Sequence, residues 1–216
     1  MGTGDEVSQI WGAINDMSAD KLILTQEKDI NGNLIDSYLV TLAERIDGIC
    51  QNGTSLIRRR IYSKYTTEIK MGKGNSATPS NAENAGNGIG TGTHVIFDPN
   101  QGSLSDIELI NPRNGNVSPG GYGGTPAFIA LAHELIHADH NARGTRTLET
   151  ENYTYQIGVK RIDGGRHKVF TTSTDRAVKV TELRTIGLAH VRGGDITENM
   201  IRAEHGLNIR GRYYVR

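Results

Sequence analysis

Apolar residues recur at helical spacing over residues 6–17, where Val7, Ile10, Trp11 and Ile14 share one side, and over 35–51, where Leu39, Leu42, Ile46 and Cys50 do the same. Both stretches are expected to be helices. Between them, Lys21–Thr25 reads as a short strand and Asn31-Gly32-Asn33 as a turn. Leu56–Tyr62 returns to helical spacing and Thr66–Met71 to a strand pattern. From Gly72 to Gly92 the chain is dominated by Gly, Asn, Ser and Ala, the composition of a flexible loop. Thr93–Phe97 is a β-branched and aromatic run stopped by Asp98-Pro99-Asn100, and so a strand. Another Gly-rich stretch covers 111–125, and two runs, Thr147–Lys160 and Arg166–Val180, flank Asp163-Gly164-Gly165 as a hairpin. No repeat, heptad run or interdomain linker interrupts the pattern. The expectation is one α+β domain over 1–216 with a small mixed or antiparallel sheet, residues 1–19 being a candidate flexible or secretion segment.

The most apolar helical stretch runs from Pro126 to Ala138, with Phe128, Ile129, Leu131, Ala132, Leu135 and Ile136 on every side. Such a helix is buried. Thr125 is a good N-cap, Pro126 suits the first helical position, and Gly144 can end the helix in a left-handed turn. Inside this helix lies His133-Glu134-Leu135-Ile136-His137. Residues four apart are about 40° apart around a helix, so both imidazoles can reach one metal. Burying two imidazoles and a carboxylate without partners costs on the order of 2 kcal/mol or more per group, so a ligand or a polar network must compensate. Zinc is the expected ligand. Glu134, one step round, is placed to touch a water on the metal rather than to bind it. In zinc peptidases of this type an edge strand often lies beside the active helix and pairs with extended substrate. Thr93–Phe97 is a candidate for that cradle, and a plain core strand is the other reading.

Composition narrows the field. The 216 residues carry 24 Lys and Arg against 24 Asp and Glu, so nothing points to a nucleic-acid surface. A single cysteine, Cys50, excludes an intrachain disulfide and a cysteine-rich metal knuckle. The first residues lack the basic and apolar regions of a secretory signal, and no apolar run approaches the ~20 residues of a membrane span. No membrane partner is expected.

A catalytic zinc usually has three protein ligands and one open position. Positions 140 and 143 are His140 and Arg143, where a three-histidine HExxHxxGxxH site requires Gly and His, so that subclass is excluded. Glu149, Glu151, Glu182, Glu198 and Glu204 all follow the helix, and spacing does not choose among them. His140 faces the same side as the two ligands and suits a contact supporting them better than a fourth ligand, which would close the site.

The segments HELIHADH at 133–140 and Thr181-Glu182-Leu183-Arg184-Thr185 resemble the paired HELIH and ELRT-type segments of clostridial neurotoxin light chains. That resemblance implies Glu182 as third ligand. It also matches Arg210-Gly211-Arg212-Tyr213 to the Arg-x-x-Tyr segment that stabilises the tetrahedral intermediate in those toxins, making Arg210 and Tyr213 candidate catalytic residues. Light chains are about twice as long, so their substrates do not carry over. Over roughly 93–213 the chain is more similar to the NleD-type bacterial effector metalloproteases, through HELIHA, the downstream Glu before a Thr-x-Gly step, and Glu198-Asn199-Met200-Ile201-Arg202-Ala203-Glu204-His205-Gly206. Membership would imply a zincin-like metalloprotease with one catalytic Zn²⁺ and type III secretion into the host cytoplasm, with a secretion chaperone as a candidate partner. Its substrates would be host stress-activated MAP kinases such as the JNK class, cut in the activation loop. Glu198 and Glu204 could orient a zinc-bound His, or else pair with Arg202 or face solvent on an amphipathic helix.

Overall fold

The computed structural model describes residues 4–46, 51–100, 109–110, 117–118, 125–161 and 168–211. Among these are five helices and four small sheets, a mixed α+β arrangement. Helix α1, Gly4–Met17, buries Ala13, Ile14 and Met17 and packs against the long helix α3, Ala127–Ala142. The helix expected over 6–17 is present from residue 4, and this part of the candidate flexible segment contributes to the core.

Strand β1, Lys21–Lys28, pairs antiparallel with β2, Leu34–Glu44. Their turn is built by Asp29, whose Oδ1 accepts the N–H groups of Asn31 (2.8 Å) and Asn33 (2.9 Å), while Gly32 supplies the left-handed residue at φ 85°. The helix expected over 35–51 is therefore corrected to a strand as far as Glu44. Val40 and Leu42, two apart, pack against the core beside Leu22, whereas Leu39 is exposed. Val40 and Leu42 lie on the core-facing side of the strand, and the spacing of Leu39, Leu42 and Ile46 mimicked a helical stripe. Cys50 lies outside the described residues.

Helix α2, Asn52–Ile61, starts against the Glu204 carboxylate, which accepts the N–H groups of Asn52 and Gly53 and so satisfies two of the donors a helix N-terminus leaves open. Strands β3 (Thr67–Met71), β4 (Ser76–Pro79) and β5 (Thr93–Phe97) form one sheet in the order β3-β5-β4. β5 is parallel to β3 and antiparallel to β4, and its Thr93, Val95 and Phe97 face the core. Because both its edges are paired, β5 is the plain core strand of the two readings and not the edge-strand cradle. β4 holds that position, and it packs beside α3.

The Gly72–Gly92 segment, expected to be a flexible loop, contains β4 and is strapped to the end of α3. Gly88 N–H donates to Gly144 O (2.9 Å), Thr91 N–H to Asn141 O (3.0 Å) and Arg146 N–H to Ala85 O (2.8 Å). Its glycines serve close approach. A Cβ on Gly90 would sit 2.0 Å from the Ala142 carbonyl oxygen, at a φ of 87° that an L side chain resists.

β6 (Leu109–Ile110), β7 (Val117–Ser118) and β10 (Ile209–Arg210) form a small sheet in the order β10-β6-β7. β8 (Thr150–Arg161) and β9 (Lys168–Lys179) form the expected hairpin, whose turn lies outside the described residues. β9 runs directly into α4, Val180–Ile186, and α5, Glu198–Glu204, follows; both pack on α3. At the start of α3 the cap differs from expectation. Pro126 is the capping residue, with no side-chain bond, and the Thr125 hydroxyl instead accepts from Arg202 Nη2 (2.9 Å). Gly144 does close the helix, at φ 65°.

Candidate metal centre

One turn of α3 separates His133 from His137, and both rings leave the face turned towards α4. That short helix is positioned at both ends. Gly187, at φ 95°, turns the chain out of it, and Arg184, almost wholly buried, donates Nη1–H to the Thr145 carbonyl just past α3 (2.7 Å). Glu182, in its first turn, thereby meets the two histidines. Its Oε2 lies 3.1 Å from His133 Nε2 and 3.3 Å from His137 Nε2, and the two Nε2 atoms are 3.1 Å apart.

The back of each ring is also held. His133 Nδ1 lies 2.9 Å from Glu198 Oε2, and His137 Nδ1 lies 3.3 Å from Thr185 Oγ1. A carboxylate only accepts, so His133 donates from Nδ1, and in the neutral ring its Nε2 presents a lone pair towards Glu182. Lone pairs gathered this closely repel unless a cation lies among them. Ligand atoms 2.0–2.1 Å from a tetrahedral ion are roughly 3.4 Å apart, close to the spacing of this trio. His133, His137 and Glu182 are the one group of potential metal-holding side chains among the described residues.

The electrostatics agree. Burial alone would make His133 less basic, but its hydrogen bonds to Glu182 and Glu198 and the Glu134 charge outweigh it and push it up to about 10. Burial would likewise raise Glu182, yet His137 and His133 hold it far below the usual carboxylate range. In the metal-free chain a proton takes the cation's part. Glu134 is 6% exposed, and burial raises its carboxyl pKa against the opposing pull of His133 and His137. It stands beside the trio and is not one of its members.

Glu198 does both things the sequence left open. Its Oε2 accepts from His133 and from Arg210 Nη1 (2.9 Å), and its Oε1 accepts from Arg202 Nε (2.6 Å). Burial would raise its pKa, but Arg210, His133 and Arg202 hold it well below the usual range, so it remains an anion behind the ring. Asn199 fixes Arg210 by its backbone, donating to its carbonyl (3.0 Å) and accepting its N–H (2.8 Å). Arg210 is thus buried one residue behind His133; Tyr213 lies outside the described residues. Glu204 belongs to the α2 N-terminus instead.

His140 departs from expectation: neither ring nitrogen has a hydrogen-bond partner, and the nearest carboxylate, Asp195 Oδ1, is 3.8 Å from Nε2. Burial, Arg184, His137 and Arg143 push it down to about 2, so it stays neutral. Of the remaining candidates, Glu151 pairs with His190 (2.9 Å) and Glu149 is exposed. Two residues went unforeseen. Thr185, one turn after Glu182 on α4, had only its helical spacing to mark it, and Asp195, the partner of Arg184, had no local signal.

A family model for Peptidase M91, described as effector protein, matches residues 39–213, a span that contains every residue of this site. A comparison with curated proteins gives no match.

Proposed function

Because the chain belongs to the Peptidase M91 family of effector proteins, we propose that it is a zinc-dependent endopeptidase that cuts host signalling proteins. The observation that carries the metal reading is the convergence of His133 Nε2, His137 Nε2 and Glu182 Oε2 within 3.3 Å of one another. His133, His137 and Glu182 would hold the ion, in a single zincin-like domain. When bound, zinc supplies a Lewis acid and lowers the pKa of a coordinated water towards ~7. Glu134 accepts the proton of the attacking water and passes it to the departing amine. The Tyr213 hydroxyl stabilises negative charge on the scissile carbonyl oxygen, a task commonly worth ~3 kcal/mol per donor, and Arg210 holds Glu198 in place behind His133. β4, as the edge strand beside α3, is the place for an extended substrate backbone. The chain acts after secretion into the host cytoplasm, and stress-activated MAP kinases, the JNK class among them, are the substrates the NleD-type resemblance favours.

Glu198→Gln removes the anion behind His133. Partners of this kind are worth 10- to 100-fold in metal affinity, so zinc should bind at least about tenfold more weakly in competition with a chromophoric chelator. Unchanged affinity would show that Glu198 does not tune the ligand.

The function is tested by adding the zinc-loaded and the chelator-stripped chain to host-cell lysate and sequencing new N-termini. Zinc-dependent termini in kinase activation loops are expected. Zinc-dependent cuts elsewhere would keep the endopeptidase and discard the kinases. A zinc-loaded chain that makes no cut in lysate or in intact cells would overturn the reading in favour of a peptide-binding module.

A further inference from the structure

The C-terminal ends of α2 and α3 meet around two buried carboxylates, Asp139 and Asp195, and four guanidinium groups converge on them. Arg59 Nη1 (3.3 Å) and Arg143 Nε (2.9 Å) share Asp139 Oδ2, and Arg60 Nη2 lies 3.3 Å from Oδ1. Arg143 reaches on to Asp195 Oδ1 (3.0 Å), and Arg184 grips both oxygens of Asp195 at 2.7 Å. Arg143 follows His137 by six residues, about 9 Å along the helix axis, so the cluster is separate from the metal centre.

Charge does not balance here. Four cations face two anions, and the carbonyl ends of α2 and α3 offset only about half a charge each. Roughly one positive charge remains before the adjoining loops are counted, and those carry two more arginines. Arg146 follows Thr145, whose carbonyl accepts from Arg184, and Arg192 gives its backbone N–H to Asp195 (2.8 Å). Arg60 Nε is buried without a hydrogen-bond partner. Burial lowers the Arg60 pKa, Asp139 opposes that, and Arg143 and Arg59 add to the fall. Arg60 and Arg184, the two buried guanidiniums, match the two carboxylates in number, so the excess falls on the partly exposed Arg59 and Arg143, where an anion from solvent can meet it. The way in is at the rim, where the Arg59 and Arg143 side chains are 37% and 32% exposed and meet on a single carboxylate oxygen.

We propose that the Arg59–Arg143 rim is an anion site that takes a phosphoryl oxyanion, either free phosphate or the phosphate of a phosphorylated side chain. Planar guanidinium forks match phosphate oxygens two at a time, a geometry that spherical chloride does not share. The site does not depend on the peptidase reading.

The test titrates the full chain with inorganic phosphate at ionic strength held constant with chloride, following heat of binding and melting temperature. Saturable binding is expected, weakened about tenfold in Arg59→Gln and less in Arg59→Lys, which keeps the charge but not the fork. A phosphothreonine peptide and its unphosphorylated twin then separate the sources. Binding of the phosphopeptide at least about tenfold tighter than phosphate assigns the site to a modified side chain, and equal binding assigns it to the free ion. No difference between phosphate and chloride up to roughly 20 mM, or phosphate binding unchanged in Arg59→Gln, would overturn the proposal.

Discussion

Glu134→Gln is expected to hold as much zinc as the wild type, to melt no lower, and to lose at least about a hundredfold in kcat. Each part follows from where the side chain sits. Glu134 is buried, and that burial already penalises its charge, so an amide of equal size relieves a desolvation cost and leaves no cavity in α3. The trio proposed to hold the metal does not include it, so metal content should be untouched. Its chemistry has no substitute, because an amide cannot accept a proton from water at neutral pH, and general acid–base transfer is worth 10²–10⁴ in rate. The measurement is peptide hydrolysis in parallel with metal analysis of the same preparation. A variant that keeps more than a tenth of wild-type kcat would remove Glu134 from the reaction. One that loses zinc along with activity would make it part of the metal's support instead.

The metal trio was legible because the features that define it are local. His133, Glu134 and His137 declare themselves by helical spacing, whereas Glu182 is picked out from five downstream glutamates only by the resemblance of residues 181–185 to a known segment, and α3 and α4 bring these residues together. What stayed hidden was held by contacts distant in sequence. Glu198 is 65 residues from the imidazole it supports, and Glu204 lies about 150 residues from the helix it caps. For each, the composition of its own segment allowed a solvated carboxylate equally well. Two elements were misread for a common reason. Leu39, Leu42 and Ile46 fit a helical stripe, yet the pairing of β2 with β1 turns Val40 and Leu42 inward and Leu39 out. The glycines of 72–92 suggested mobility, while their use is to let backbone reach backbone against the end of α3. Local pattern carries period and turn chemistry, and tertiary partners decide which face is buried.

Arg184→Met is expected to cost about 3–5 kcal/mol of stability, enough to lower the melting temperature by roughly 10 °C in a chain of this size. The guanidinium is 1% exposed and makes three strong contacts: both oxygens of Asp195 and the Thr145 carbonyl. Met fills the space but leaves a buried carboxylate with Arg143 as its one side-chain donor among the described residues, and the loss is that of an under-compensated charge rather than of packing. Acid should act on the same pair. Burial would raise the Asp195 pKa, but Arg184, the Arg192 backbone N–H and Arg143 hold it well below the usual carboxylate range. A group depressed in the folded state contributes fully above its unfolded pKa of ~3.9, and that contribution is lost as pH falls further. The wild type should therefore lose stability below about pH 4 more steeply than Arg184→Met, which has little of this contribution left to lose. Because Arg184 ties α4 to the end of α3, the variant should also hold zinc less tightly through a displaced Glu182. Replacing Asp195 as well separates pairing from packing. If the charge left behind causes the damage, Arg184→Met with Asp195→Leu should recover a large part of the lost stability, as buried pairs exchanged for apolar residues commonly do. If the double variant is as unstable as the sum of the two single ones, the ion pair is not what fixes α4, and the Thr145 contact carries the anchoring instead.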